Sequence, residues 1–153
     1  MEGARLARAE DVPAIQVVLS ALRERLQGVR GGPEVLALVP GEAVDPSSLL
    51  EALSGPQGFC LVGTVDEVVV GLAILRRQSS AYVLSCYVLE GARGVGVGEC
   101  LVHAATEIAR AEGVNRLDAL ALPGDRSMKQ LYERAEMKAR LLVLSKPLGL
   151  RSP

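Results

Sequence analysis

Between Ala81 and Ala111 the chain runs from a β-branched and aromatic segment, through a loop rich in glycine, into an amphipathic segment. Ala81–Val88 reads Ala-Tyr-Val-Leu-Ser-Cys-Tyr-Val and has the length and composition of a strand. Val97, Leu101, Ala105 and Ile108 then recur on one face of a helix predicted over Gly96–Glu112. Between the two lies Arg93-Gly94-Val95-Gly96-Val97-Gly98, followed by Glu99. A strand, a glycine loop and a helix start, in that order, make an anion site. Glycines let backbone N–H groups approach a ligand closely, and the helix N-terminus adds positive partial charge. The chemistry points to a phosphate or pyrophosphate.

Three phosphate loops have to be separated. A P-loop requires Lys and then Ser or Thr after its last glycine. Gly91 and Gly96 have the right separation, but Val97-Gly98 follows them. A dinucleotide fingerprint requires Gly-x-Gly-x-x-Gly. Counting from Gly94 the sixth residue is Glu99, and from Gly96 it is Leu101, so neither fits. What fits is Arg-x-x-Gly-x-Gly, read as Arg93, Gly96 and Gly98. The alternative is a glycine turn that only joins a strand to a packed helix.

The rest of the chain supplies the frame. Ala4–Ala9 reads as a first strand, and Asp11-Val-Pro13 opens a helix, with Asp11 as its cap and a stripe of Val12, Ile15, Leu19, Leu22 and Leu26. Gly28–Gly41 carries breakers and is expected to be the least ordered part. Asp45-Pro46 caps a short helix stopped at Gly55-Pro56. Phe59–Val65 and Val68–Leu75 form a hairpin about Asp66-Glu67, with the next turn at Arg76–Ser80 and the two arginines at a solvated strand end. Gly113 ends the long helix, Asn115–Leu122 is a strand, and Asp125 caps a helix with face Met128, Leu131, Tyr132 and Ala135. Lys138–Ser145 reads as a last strand. The order βα(α)βββαβαβ combines an antiparallel meander with a parallel crossover. It specifies an α/β mixed sheet of about six strands with helices on both faces, in one domain over residues 1–153.

Composition removes several functions. A net charge of −1 gives no electrostatic case for nucleic acid or an anionic membrane. No apolar run reaches membrane-spanning length, and the first residues lack a signal-peptide core, so a cytoplasmic protein is expected. Cys60, Cys86 and Cys100 lack metal spacing and read as reduced thiols. The single histidine, His103, lies off the apolar face of its helix and marks no activated cysteine.

Arg-Gly-x-Gly-x-Gly after a strand ending in valine, opening an amphipathic helix, resembles motif A of the GNAT acetyltransferases. Arg8-Ala-Glu-Asp-Val-Pro-Ala-Ile15 is also similar to the opening of many such chains, and the predicted element order matches over nearly the whole length. The resemblance implies acetyl-coenzyme A as co-substrate and no metal. The amides from Arg93 to Glu99 would then cradle the pyrophosphate, with Arg93 either adding charge or lying at the surface. It also implies that the strand before the loop splays from its parallel neighbour, freeing Cys86, Tyr87 and Val88 for the pantetheine amides. Asp125-x-Ser127-x-x-x-Leu131-Tyr132 resembles the family's Asn-x-x-x-x-x-Leu-Tyr segment, whose tyrosine protonates the departing thiolate. A phenol with pKa near 10 suits that task. Asp125 stands where asparagine is common and doubles as a helix cap; Ser127 is in reach of the same ligand.

The resemblance has departures. Glu136-Met137 replaces the usual Gly-Phe. The chain beyond is too short for a closing hairpin, so one strand replaces two, leaving the acceptor side open or completed by a second copy in a homodimer. No general base stands out among Asp118, Glu51 and Glu90, and water-mediated deprotonation needs none. The implied activity is transfer of acetyl to a primary amine, of a small molecule or a protein, by direct attack in a ternary complex. The alternative is a module of the same fold that binds an acyl-coenzyme A without turnover.

Overall fold

A computed structural model describes residues 1–41 and 44–149. Five strands form one sheet in the order β1-β2-β3-β4-β5: β1 Glu2–Leu6, β2 Phe59–Val65, β3 Val68–Gln78, β4 Ala81–Val88 and β5 Arg116–Ala119. The first four pair antiparallel, and β4 pairs parallel with β5. The mixed sheet is the expected one, with one strand fewer.

The helices are α1 Val12–Leu26, α2 Gly32–Leu36, α3 Leu49–Ser54, α4 Val97–Ala111 and α5 Arg126–Arg134. They divide between the faces according to the alternation of the strands. On β4, Tyr82, Leu84 and Val88 join the core under α4 and α5, while Tyr87 joins the core under α1 and α3. The stripe read from the sequence on α1 is buried throughout, together with Val18. On α4, Val97, Leu101 and Ala105 are buried as expected, and Ile108 is half-buried.

The start of α4 sits unusually close to the sheet because Gly63 of β2 lies beneath it. A Cβ on Gly63 would lie 2.5 Å from Cγ1 of Val97 and 3.0 Å from Cδ1 of Leu101. This close approach fixes the height of the helix N-terminus over the strands. The hairpin at Asp66-Glu67 has φ of 47° and 71° at these two residues, the left-handed pair that a tight antiparallel turn requires.

Several expectations are corrected. The first strand is Glu2–Leu6 rather than Ala4–Ala9, because Ala9–Asp11 tightens into a 3-10 turn. Asp11 does not cap α1. Its carboxylate instead accepts two hydrogen bonds from Arg5, at 2.7 and 2.8 Å, and one from the Arg8 amide. Within Gly28–Gly41 a short helix, α2, forms behind Gly31. β3 runs on through Gln78, so the turn is Ser79-Ser80. Arg76 is therefore not a solvated strand end: its Nη2 donates to the carbonyls of Leu38 and Leu53, at 2.8 and 3.2 Å. β5 stops at Ala119, and Ala135 is exposed. Lys138–Ser145 forms no strand, and Leu141–Leu144 lie in the open with 80% or more of their surface exposed. Nothing pairs with the free edge of β5 among the described residues. Among those residues no helix is long and apolar enough to cross a membrane.

Candidate active site

The loop after β4 turns through one 3-10 turn at Glu90–Ala92 and enters α4 at Gly96. Gly94 and Gly96 have φ of 84° and 93°, a left-handed conformation that side chains rarely adopt. These two positions bend the chain so that consecutive amides emerge at the helix start. Arg93 N donates to Glu90 O, and Cys100 N closes the first helical bond to Gly96 O. The amides of Gly94, Val95, Gly96, Val97 and Gly98 donate to no acceptor among the described residues. The Glu99 amide lies beside its own carboxylate, which sets it apart from Gly94–Gly98.

The glycines exclude side chains for reasons that differ from one to the next. A Cβ on Gly94 would meet open space. One on Gly96 would face Glu2 at 3.4 Å, and one on Gly98 would strike Leu131 at 2.8 Å. Gly98 thus belongs to the packing of α4 on α5 rather than to ligand clearance.

The charged neighbours are already committed. Glu99 is paired with Arg134 at 2.7 Å, which holds its carboxyl below the usual range. Arg93 folds back across the end of β4: its Nε donates to Val88 O at 3.2 Å, and its guanidinium stands 5.8 Å from the centre of the Tyr87 ring. Its Nη2 is buried with no acceptor among the described residues. An anion at this loop would be held by main-chain amides and the helix dipole more than by side-chain cations.

The splay implied for the strand is present. Parallel pairing of β4 with β5 ends at Leu84 and Ala119, with one further bond from Leu120 N to Leu84 O. Ser85–Val88 continue to pair with β3 alone. A cleft of about 500 Å³ opens in the gap, walled by α1, by Ser85–Tyr87 and by Leu120–Asp125 with Met128. Cys86 opens onto this cleft, and burial pushes its thiol up to about 12, so it is no thiolate at neutral pH. Tyr87 lines the same cleft from the α1 side, whereas Val88 is buried in the opposite core.

Tyr132 is 6% exposed, and its hydroxyl is buried with no hydrogen-bond partner among the described residues. Burial raises its pKa well above 10, helped by the nearby Cys86 thiol and the Asp125 carboxylate. The Cys86 main chain lies near enough to favour the phenolate slightly, but at no normal hydrogen-bond geometry, and burial dominates. The phenol is a neutral donor with no acceptor among the described residues. Asp125 caps α5: its Oδ1 accepts from the Met128 amide and the Ser127 hydroxyl, both at 3.1 Å. Ser127 is thereby spent on the cap.

Of the carboxylates singled out as bases, Glu51 and Glu90 are exposed and Asp118 is paired with Arg116 at 2.9 Å. None lines the cleft. The residue that sequence reasoning missed is Arg25, in the last turn of α1, which faces Asp125 across the cleft. Its position one residue before Leu26, the end of the buried stripe, was the only available signal. Among the described residues no cluster of His, Cys, Asp or Glu could hold a metal ion.

The free amides, the unpaired end of β4, the cleft and the orphan phenol suit an elongated ligand with an anionic group at one end. Residues 33–137 match the model of the Acetyltransferase (GNAT) family. No curated protein matches the sequence. Solved structures share the fold over nearly full length. One is a variant of the BH1408 protein from Bacillus halodurans, with 18% identity, a TM-score of 0.71, and 95% of this chain and 98% of that one covered. Another is ribosomal-protein-alanine N-acetyltransferase from Brucella melitensis biovar Abortus 2308, with 17%, 0.69, 97% and 100%. A third is an aminoglycoside acetyltransferase from an uncultured soil metagenomic sample, with 14%, 0.66, 98% and 97%. With more than half of its length matched by the family model, the chain belongs to the GNAT acetyltransferase family.

Proposed function

We propose that this protein transfers an acetyl group from acetyl-coenzyme A to a primary amine by direct attack within a ternary complex. When bound, acetyl-coenzyme A supplies the acetyl thioester and a thiol leaving group. The amides of Gly94–Gly98 would hold the pyrophosphate, and the unpaired segment Ser85–Val88 would take the pantetheine amides. Tyr132 holds a proton at its Oη throughout the physiological range and donates it as the C–S bond breaks. The orphan hydroxyl of Tyr132 carries this reading. A buried donor without a protein partner is costly to maintain, and a ligand acceptor removes that cost. Cys86 as a covalent carrier is disfavoured by its raised pKa.

The reading of the fold as a binding module without turnover draws on the missing base: none of Glu51, Glu90 and Asp118, the carboxylates offered as bases, lines the cleft. An amine that loses its proton to water satisfies the first reading as well. The test is an acetylation screen over amine classes with free thiol release as readout, next to a thermal shift with coenzyme A. A rise in melting temperature without thiol release favours the module; no rise defeats both. The exposed apolar tail at Leu141–Leu144 and the free edge of β5 also support a homodimer.

A further inference from the structure

The cleft contains a pair of opposite charges that neither the loop nor Tyr132 uses. Nη2 of Arg25 lies 3.7 Å from Oδ2 of Asp125, longer than a charge-assisted hydrogen bond. Nη1 of Arg25 is buried and has no acceptor among the described residues. The guanidinium is held by the Tyr87 ring, whose centre is 6.0 Å from Cζ. On the other wall, Oδ1 of Asp125 is consumed by the α5 cap, which leaves Oδ2 as the oxygen facing Arg25. The rest of the wall is largely apolar, with Leu22, Leu26, Leu122 and Met128 prominent, and Arg30 stands at the same cleft.

A buried guanidinium edge without an acceptor is complementary to a carboxylate, which it can bind through two parallel bonds. A polycationic acceptor would instead meet Arg25 and Arg30. A plain amine would leave Nη1 of Arg25 without an acceptor. We propose that the acceptor is a small amino-carboxylate with an apolar body, its carboxylate on Arg25, its ammonium beside Asp125 and its side chain on the leucine wall. This rests on the reading of the cleft as the site of N-acetylation. Arg25 is then a specificity-determining residue and takes no part in bond breaking. The zwitterion lies in the cleft alongside the two side chains, whose 3.7 Å separation leaves each with an unused hydrogen-bonding atom.

The experiment pairs apolar α-amino acids with the amines obtained by removing their carboxylate, using thiol release from acetyl-coenzyme A. The amino acid should be preferred by roughly 100-fold in kcat/KM, since a site built to pair a charged group rejects the analogue lacking it. Arg25→Gln should raise KM for the amino acid by roughly 10- to 100-fold, leave kcat within about twofold, and leave the plain amine unaffected. Arg25→Lys, which keeps the charge and the aliphatic stem, should recover part of the loss. Equal rates for the two substrates, or an Arg25→Gln enzyme with the same preference, would overturn the proposal. If thiol is never released although coenzyme A binds, calorimetry with the amino acid on the coenzyme A complex decides. Binding lost in Arg25→Gln upholds the proposal, and no binding overturns it. Absence of coenzyme A binding instead defeats the parent reading, and this one with it.

Discussion

Replacing Tyr132 by Phe separates stability from chemistry, because the two should move in opposite directions. The ring is 6% exposed and packs in the core under α4 and α5, so Phe preserves its apolar contacts. The hydroxyl is buried without a partner among the described residues. Burying such a group costs about 1–3 kcal/mol, part of which is retained as the small void left by the oxygen. Tyr132→Phe should therefore stabilise the free protein by about 1 kcal/mol, or about 2–4 °C in melting temperature for a chain of this size. Turnover should fall by roughly 10²- to 10⁴-fold, the usual worth of a positioned general acid. Coenzyme A should still bind, weakened by no more than about tenfold, the worth of one hydrogen bond, since the cradle of amides is elsewhere. Differential scanning calorimetry, thiol release and isothermal titration read the three quantities. A variant that melts lower and turns over normally would show the hydroxyl to be structural, and the reasoning about its orphan state to be wrong. The pH dependence follows the same logic. Tyr132 is held protonated above its ordinary range by burial, so its titration leaves stability unchanged below about pH 10 and lowers it above, where the unfolded chain ionises and the folded phenol does not.

Three further outcomes are expected. Asp11 is held below the usual carboxylate range by the Arg5 pair and the Arg8 amide, so its contribution is present above about pH 4 and lost as pH falls through the lowered value. Asp11→Asn should cost about 2–3 kcal/mol at pH 7 and flatten the acid limb of a denaturation series; an unchanged limb would contradict this. Gly63→Ala should destabilise by about 1–3 kcal/mol and weaken coenzyme A binding, because its Cβ would push against Val97 and lift the start of α4. Unaltered melting would mean that α4 yields freely. The wild-type chain should sediment above monomer mass at micromolar concentration, and Leu142→Lys with Leu144→Lys should restore the monomer. A monomeric wild type would leave the tail without that role.

The sequence was most informative where local chemistry and fold agree. The strand at Ala81–Val88, the glycine loop and the α4 stripe each carry their own period or backbone demand, and all three appear where the residues place them. Asp125 caps α5 because a short acceptor side chain at a helix start needs no distant partner. Errors arose where distant partners decide. Asp11 looked like a cap, but Arg5 from the neighbouring strand takes its carboxylate. Arg76 looked solvated, but the carbonyls at Leu38 and Leu53 claim it across the fold. Lys138–Ser145 has the composition of a strand, yet a strand needs a neighbour, and no local rule supplies one. The site was half visible for the same reason. The loop and Tyr132 follow from motifs, whereas Arg25 faces Asp125 only because α1 crosses the sheet at the splay.

The central claim is that five consecutive amides at the start of α4 receive the phosphates. A ¹H–¹⁵N titration with coenzyme A measures them one by one. The account predicts that Gly94, Val95, Gly96, Val97 and Gly98 show the largest downfield amide proton shifts, in step with a saturable isotherm. If coenzyme A binds while these five resonances stay in place, the phosphates lie elsewhere and the account fails.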